Sequence, residues 1–136
     1  MSFMEWTDKF SVGVAMFDGE HRKLIGMIND LYDGIAAGAG EAALRRVSDD
    51  LVEYAFMHFR HEEMYFDDAA YPHAEEHAAT HADFKRLVFE YRDRIGRDDN
   101  AELAVEMLKF LRGWLAHHIL VEDKKYGAHL NAKGIR

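Results

Sequence analysis

A single proline, Pro72, interrupts the chain, and on both sides of it apolar residues recur every three or four positions. That period fits the buried stripe of an α-helix and not the two-residue alternation of a strand, so long helices are the regular structure this pattern admits. Leu24, Ile25, Ile28, Leu31, Tyr32 and Ile35 predict a first helix over about residues 19–37, ended by Gly38-Ala39-Gly40. Leu44, Val47, Leu51, Tyr54, Ala55 and His58 predict a second, running to about Tyr65 and closed by the segment 67–71. Pro72 is expected as the first residue of a third, with Glu75 and Glu76 in its first turn and a stripe of His77, His81, Phe84, Val88, Tyr91 and Ile95. After Gly96 and Asp98-Asp99-Asn100, a fourth starts near Ala101, with Leu103, Met107, Leu108, Leu111, Trp114, Leu115 and His118 on one face. Four such helices with short connectors predict an all-α fold, an up-down-up-down four-helix bundle. The first dozen residues, with Trp6, Phe10 and Val12, are expected to form an extended N-terminal arm packed on it.

Composition narrows what such a bundle can do. With 136 residues, 49% of them hydrophobic, the chain can bury one core, so a single domain over 1–136 is expected. The net charge of −8 with no Lys/Arg block leaves no footprint for nucleic acid. The N-terminus lacks the basic and apolar regions of a secretory signal, and no apolar run reaches the roughly 18 residues of a membrane span, so a cytoplasmic protein with no membrane association is the expectation. Because there is no cysteine, thiolate zinc sites and iron–sulfur clusters are excluded, and any metal must be held by histidine and carboxylate.

Histidine is where the stripes carry chemistry. His21, His58, His77, His81 and His118 each fall in phase with the apolar face of one of the four helices. One such residue is most often a hydrogen-bonded core histidine, but five converging on one interior are costly to bury without a shared partner, and a metal supplies it. His58 and Glu62 are spaced i,i+4, as are His77 and His81, so each pair shares a helical face. Asp123 follows His118 by five residues, about 140° round a regular helix, so the two can face one site only if the helix ends or distorts there. Five imidazoles and two carboxylates exceed the roughly six ligands of one first-row ion and imply two ions bridged by carboxylates. Spacing does not separate iron, manganese and zinc.

Two alternative registers copy the ligand spacing: His73 with His77, and His117 with Glu122. Phase rejects His117, because His118 aligns with Leu111, Trp114 and Leu115 while His117 follows Gly113 and neighbours Arg112. Phase does not decide on His73. His61 and Glu63, beside the second-helix pair, are expected as solvated or supporting groups, and His129 carries no signal.

The segments 17–24 (Phe-Asp-Gly-Glu-His-Arg-Lys-Leu), 58–64 (His-Phe-Arg-His-Glu-Glu-Met), 77–84 (His-Ala-Ala-Thr-His-Ala-Asp-Phe) and 114–123 (Trp-Leu-Ala-His-His-Ile-Leu-Val-Glu-Asp) resemble, in order, the four signature segments of the hemerythrin family. The Trp-containing arm is also similar to that of bacterial members. The resemblance covers nearly the whole chain and implies a cofactor of two iron ions bridged by an oxo or hydroxo group and two carboxylates. It implies that His77, His81 and His118 bind one iron, His21 and His58 the other, with Glu62 and Asp123 bridging. It implies further that Leu24, Phe59, Trp114, Leu115 and Ile119 line an apolar O2 pocket over an open position on the second iron, and puts His73 outside the site. The function it implies is reversible O2 binding for storage, delivery or sensing, with no catalytic residues. A di-iron enzyme or detoxifying protein acting on O2, peroxide or nitric oxide is the alternative, and a sensing role would need a separate protein partner. Imidazoles outnumber carboxylates here, which disfavours the carboxylate-rich chemistry of ferritin-like oxidases.

Overall fold

The computed structural model describes residues 3–136. Its helices are α1 (Ala15–Ala36), α2 (Gly40–Asp50), α3 (Phe56–Asp68), α4 (Ala74–Arg94), α5 (Asn100–His117) and α6 (Lys124–Ala132). Two π-helical turns, Leu51–Ala55 and His118–Asp123, join α2 to α3 and α5 to α6 without a break, so the six helices make four rods. The fold is the four-helix bundle expected, with no strand among the described residues.

Local sequence explains the rod ends. The first rod starts four residues earlier than its stripe suggests, because the arm fixes its first turn: Asp18 accepts from Ser11 Oγ at 2.6 Å and from Val12 N–H at 2.8 Å. Gly38, at φ 77°, ends it in a conformation that other residues adopt at a cost. Pro72 lies in the turn before α4 and not at its first residue, which is Ala74. Glu75 and Glu76 still occupy the first turn of α4, where negative charge offsets the helix dipole. The Asp99 carboxylate caps α5 by accepting from the N–H groups of Ala101 and Glu102.

Opposite rod directions can be read from the site outward. Leu24 lies after His21 and Phe84 after His81, whereas Ala55 precedes His58 and Trp114 precedes His118, yet all four line one cavity. On the opposite side of the site, Phe17 and Phe66 both pack on Tyr126, with ring centroids 5.5 and 5.0 Å apart. Rods one and three therefore run one way and rods two and four the other.

Beyond the cavity the bundle is filled by aliphatic side chains with essentially no exposure, among them Leu31, Leu44, Val47, Leu103 and Met107. Each contributes about 1.5–3 kcal/mol relative to an exposed position. The arm is not wholly extended, since Asp8–Phe10 forms a 3-10 turn, and several of its described residues are tied to the bundle. Met4 exchanges two 2.8 Å hydrogen bonds with the Asn29 side chain, the Arg22 guanidinium covers the Trp6 ring, and Val12 and Val14 are buried. No helix among the described residues is long and apolar enough to cross a membrane.

Candidate metal centre

Each rod delivers its ligand-type residues to one buried centre: His21 from α1, His58 and Glu62 from α3, His77 and His81 from α4, and His118 and Asp123 from the two ends of a π turn. All seven are 3% exposed or less. In a regular helix His118 and Asp123 would diverge by about 140°. An i→i+5 turn returns residues five apart to nearly the same face, and such turns recur at functional sites. The distortion that the spacing demanded is thus present over His118–Asp123, and the rod continues beyond it to Ala132.

The donor atoms form two groups, one of Glu62, His77, His81, His118 and Asp123 and one of His21, His58, Glu62 and Asp123. Each carboxylate divides its oxygens between them. Asp123 Oδ1 is 3.0 Å from both His77 Nε2 and His118 Nε2, while Oδ2 is 3.1 Å from His21 Nε2. Glu62 Oε1 is 3.1 Å from His81 Nε2, and its Oε2 is 3.4 and 3.6 Å from the Nε2 atoms of His58 and His21. Ligands about 2.1 Å from a common ion and at right angles lie about 3 Å apart, so these separations suit the edges of two coordination polyhedra sharing two carboxylates. His81 Nε2 and His118 Nε2, 3.1 Å apart, fit the same description as two lone pairs aimed at one ion.

Hydrogen bonding alone leaves this cluster unsatisfied. His21 Nε2, His77 Nε2, Glu62 Oε1 and both Asp123 oxygens are buried with no hydrogen-bond partner among the described residues, although some approach within 3.1 Å, because their alignment is wrong. Each such atom costs about 1–3 kcal/mol, and five together are comparable to a whole domain's stability of about 5–15 kcal/mol. Two divalent cations would satisfy all five. The residues present therefore fit a binuclear metal site.

Electrostatics agree. Without a cation, burial works against a charged His58, but Glu62 and Glu20 outweigh it and push the imidazole up to about 10. His77 is held up at about 9, where burial is again outweighed, here by Asp123 and Glu62. Burial alone would raise the Glu62 and Asp123 carboxyls, yet the surrounding imidazoles hold both well below the usual carboxylate range. The cluster thus holds positive charge in its interior, as protons where metal is absent.

Outer contacts orient several of these groups. Glu20 accepts from His58 Nδ1 at 2.6 Å and from His61 Nδ1 at 2.8 Å, so it fixes which His58 nitrogen faces inward. Glu63 lies 3.3 Å from His81 Nδ1, Thr80 Oγ1 lies 3.5 Å from His118 Nδ1, and the Tyr126 hydroxyl donates to Glu62 Oε2. His61 and Glu63, expected as solvated or supporting groups, are both partly exposed and lie against Glu20 and His81 respectively. Sequence reasoning missed Glu20, Thr80 and Tyr126; only their closeness to a ligand, as with Tyr126 three residues after Asp123, could have signalled them.

Of the five residues expected around the pocket, Leu24, Phe59, Trp114 and Leu115 line an apolar cavity of about 10 Å³, with Leu51, Ala55 and Phe84 also in its wall. Ile119 is buried but does not line it. The cavity abuts the metal cluster through Phe59, whose ring stacks on His81 at 4.0 Å, and Trp114, whose ring stacks on His118 at 4.3 Å. His117 is exposed, as its phase indicated, and so is His73. His129, which carried no signal, is 2.7 Å from the Ala69 carbonyl through Nε2 and ties α6 to the end of α3.

Comparison with known proteins agrees with this geometry. The pattern of the Hemerythrin HHE cation binding domain family matches residues 12–130. A bacteriohemerythrin of Stenotrophomonas maltophilia is 33% identical over 96% of this chain and 86% of its own length, and one of Methylococcus capsulatus is 30% identical over 97% and 100%. A crystal structure of wild-type hemerythrin superimposes with a TM-score of 0.82, at 28% identity over 95% of this chain and 98% of that one.

Proposed function

Because the chain belongs to the hemerythrin HHE cation-binding family, we propose that its cluster holds two iron ions and binds O2 reversibly. His77, His81 and His118 are assigned to one iron and His21 and His58 to the other, with Glu62 and Asp123 bridging. The observation that carries this assignment is the division of each carboxylate's two oxygens between a group with three imidazoles and a group with two. The second group is one ligand poorer, so the open position belongs there. Together the bound irons would supply two electrons to O2 and recover them on release.

The protein's own residues account for the rest. Leu24, Phe59, Trp114 and Leu115 surround a cavity close to the roughly 10–15 Å³ that one water-sized molecule needs, and its wall is apolar, which favours a small apolar gas over water. Among the described residues no acid or base lines the cavity to protonate a bound ligand, which favours release over bond cleavage. Ile119 is left as packing. Tyr126 and Glu20 hold the bridge and His58 in place, and the family-implied oxo or hydroxo bridge would complete the pair of ions.

The test is stoichiometric. Iron-replete protein should contain two irons per chain, and its reduced form should take up one O2 per two irons and return it when the oxygen pressure falls. Uptake that continues catalytically, with consumption of a reductant, would instead identify the oxidase or detoxifying reading.

A further inference from the structure

Outer hydrogen bonds are spread unevenly over the imidazoles of the cluster. His58 Nδ1 donates to Glu20 Oε1 at 2.6 Å, short even for a charge-assisted bond, and the second Glu20 oxygen accepts from His61 Nδ1 at 2.8 Å. Glu20 is supplied by α1 and both histidines by α3, so the contact ties two rods together beside the centre. The carboxylate is only 9% exposed, which leaves little water to screen its charge. In the same two-imidazole group, His21 has a buried Nδ1 with no hydrogen-bond partner among the described residues.

The three-imidazole group has nothing of equal strength. Glu63 lies 3.3 Å from His81 Nδ1, and its side chain is 36% exposed. Thr80 Oγ1 is neutral, lies 3.5 Å from His118 Nδ1, and gives its own hydrogen to the His77 carbonyl at 2.7 Å. The buried negative charge outside the ligand set therefore acts on one ligand, His58, on the side assigned the open position.

We propose that Glu20 tunes the iron with the open position: by pulling on the Nδ1 proton of His58, it makes that imidazole a stronger donor through Nε2 and so favours O2 binding. This rests on the reading of the cluster as a di-iron O2 site. An imidazole that binds a metal through Nε2 keeps its proton on Nδ1, and a carboxylate accepting that hydrogen bond raises the basicity of the ligand. A more basic ligand stabilises the higher oxidation state, and hydrogen bonds of this kind are one of the levers by which a protein sets a metal's potential. O2 binding draws electrons from the irons, so a group that stabilises ferric iron lowers the reduction potential and tightens O2. Glu20 touches no reacting atom and acts through His58, while His61 holds its other oxygen.

Orienting the ring and supplying charge are separable roles. Glu20→Gln keeps an oxygen that accepts from His58 Nδ1 but removes the negative charge. The iron-loaded variant should hold two irons per chain and the wild-type helical spectrum, while a redox titration shows a raised midpoint potential and O2 binds about ten-fold more weakly. Glu63→Gln, at the longer and more exposed contact, should shift O2 affinity much less. Wild-type potential and O2 affinity in Glu20→Gln, or an equal shift from Glu63→Gln, overturns the proposal. Failure of Glu20→Gln to hold two irons overturns it too, because Glu20 would then be needed to build the site and not to tune it. A wild type that cycles O2 while Glu20→Gln matches it overturns the proposal alone; a wild type that holds two irons without reversible O2 binding overturns the functional reading as well.

Discussion

Among single residues, those that touch no metal distinguish the account best. Tyr126 is fully buried, and its hydroxyl donates to Glu62, which already serves both halves of the cluster. Tyr126→Phe keeps the ring packing against Phe17 and Phe66 but removes a hydrogen bond to a charged group, worth about 1.5–3 kcal/mol. The iron-loaded variant should keep two irons per chain and melt at a lower temperature, measured by circular dichroism. His118→Ala should do the opposite, removing one nitrogen donor and lowering iron content in metal analysis while the helical spectrum persists. Such residues differ in how far the sequence reveals them. His118 could be chosen over His117 because helical phase is local, and Leu111 and Trp114 set it. Glu20 and Tyr126 could not be chosen, because what makes them matter is a contact with a rod 38 or 64 residues away.

Helical elements are where periodicity speaks most clearly, and all four rods follow from it. It fails where an element departs from 3.6 residues per turn. The 140° mismatch between His118 and Asp123 requires an end or a distortion, but nothing in the residues 118–123 says which, and the rod runs on for nine residues after the π turn. The earlier turn, Leu51–Ala55, has no signal of its own, because its consequence is the cavity wall formed by Leu51 and Ala55. Deleting the exposed Leu120 shortens the His118–Asp123 spacing to i,i+4, so the fourth rod should relax to regular α-helix with both side chains still on one face; circular dichroism should show helix content retained and metal analysis should show iron still bound. The junction of arm and bundle makes a second prediction. A methyl group at Gly127 would lie 2.0 Å from the Val12 carbonyl oxygen, a backbone atom that cannot step aside. Gly127→Ala should cost about 1–3 kcal/mol or more in thermal or denaturant melts and expose the arm to proteolysis.

At the scale of the whole molecule, metal and protons compete for one cavity, which ties stability to pH. His58 and His77 are raised to about 10 and about 9 in the metal-free fold against an ordinary value near 6.5. Their folded-state values lie above the unfolded ones, so the stability they contribute is full below about pH 6.5 and is lost as pH rises through 9 to 10. Metal-free protein should therefore melt at progressively lower temperature from pH 7 to 10, while the iron-loaded form, in which ions replace those protons, should not show that decline. Glu62 and Asp123, held low by the imidazoles, add the opposite limb and lose their contribution on acidification below the usual carboxylate range. Fold class and a buried His/carboxylate metal site were legible at this scale because stripe and donor count are properties of the chain. The supporting contacts and the π turns were not, because they are properties of the packed bundle.

The most direct measurement is the visible absorption spectrum of the reduced, iron-loaded protein cycled between argon and air. Reversible O2 binding at a di-iron centre predicts a charge-transfer band that rises with oxygen, disappears when oxygen is removed, and returns over repeated cycles with two irons retained. Irreversible oxidation on first exposure, with no band that tracks oxygen pressure, would contradict it.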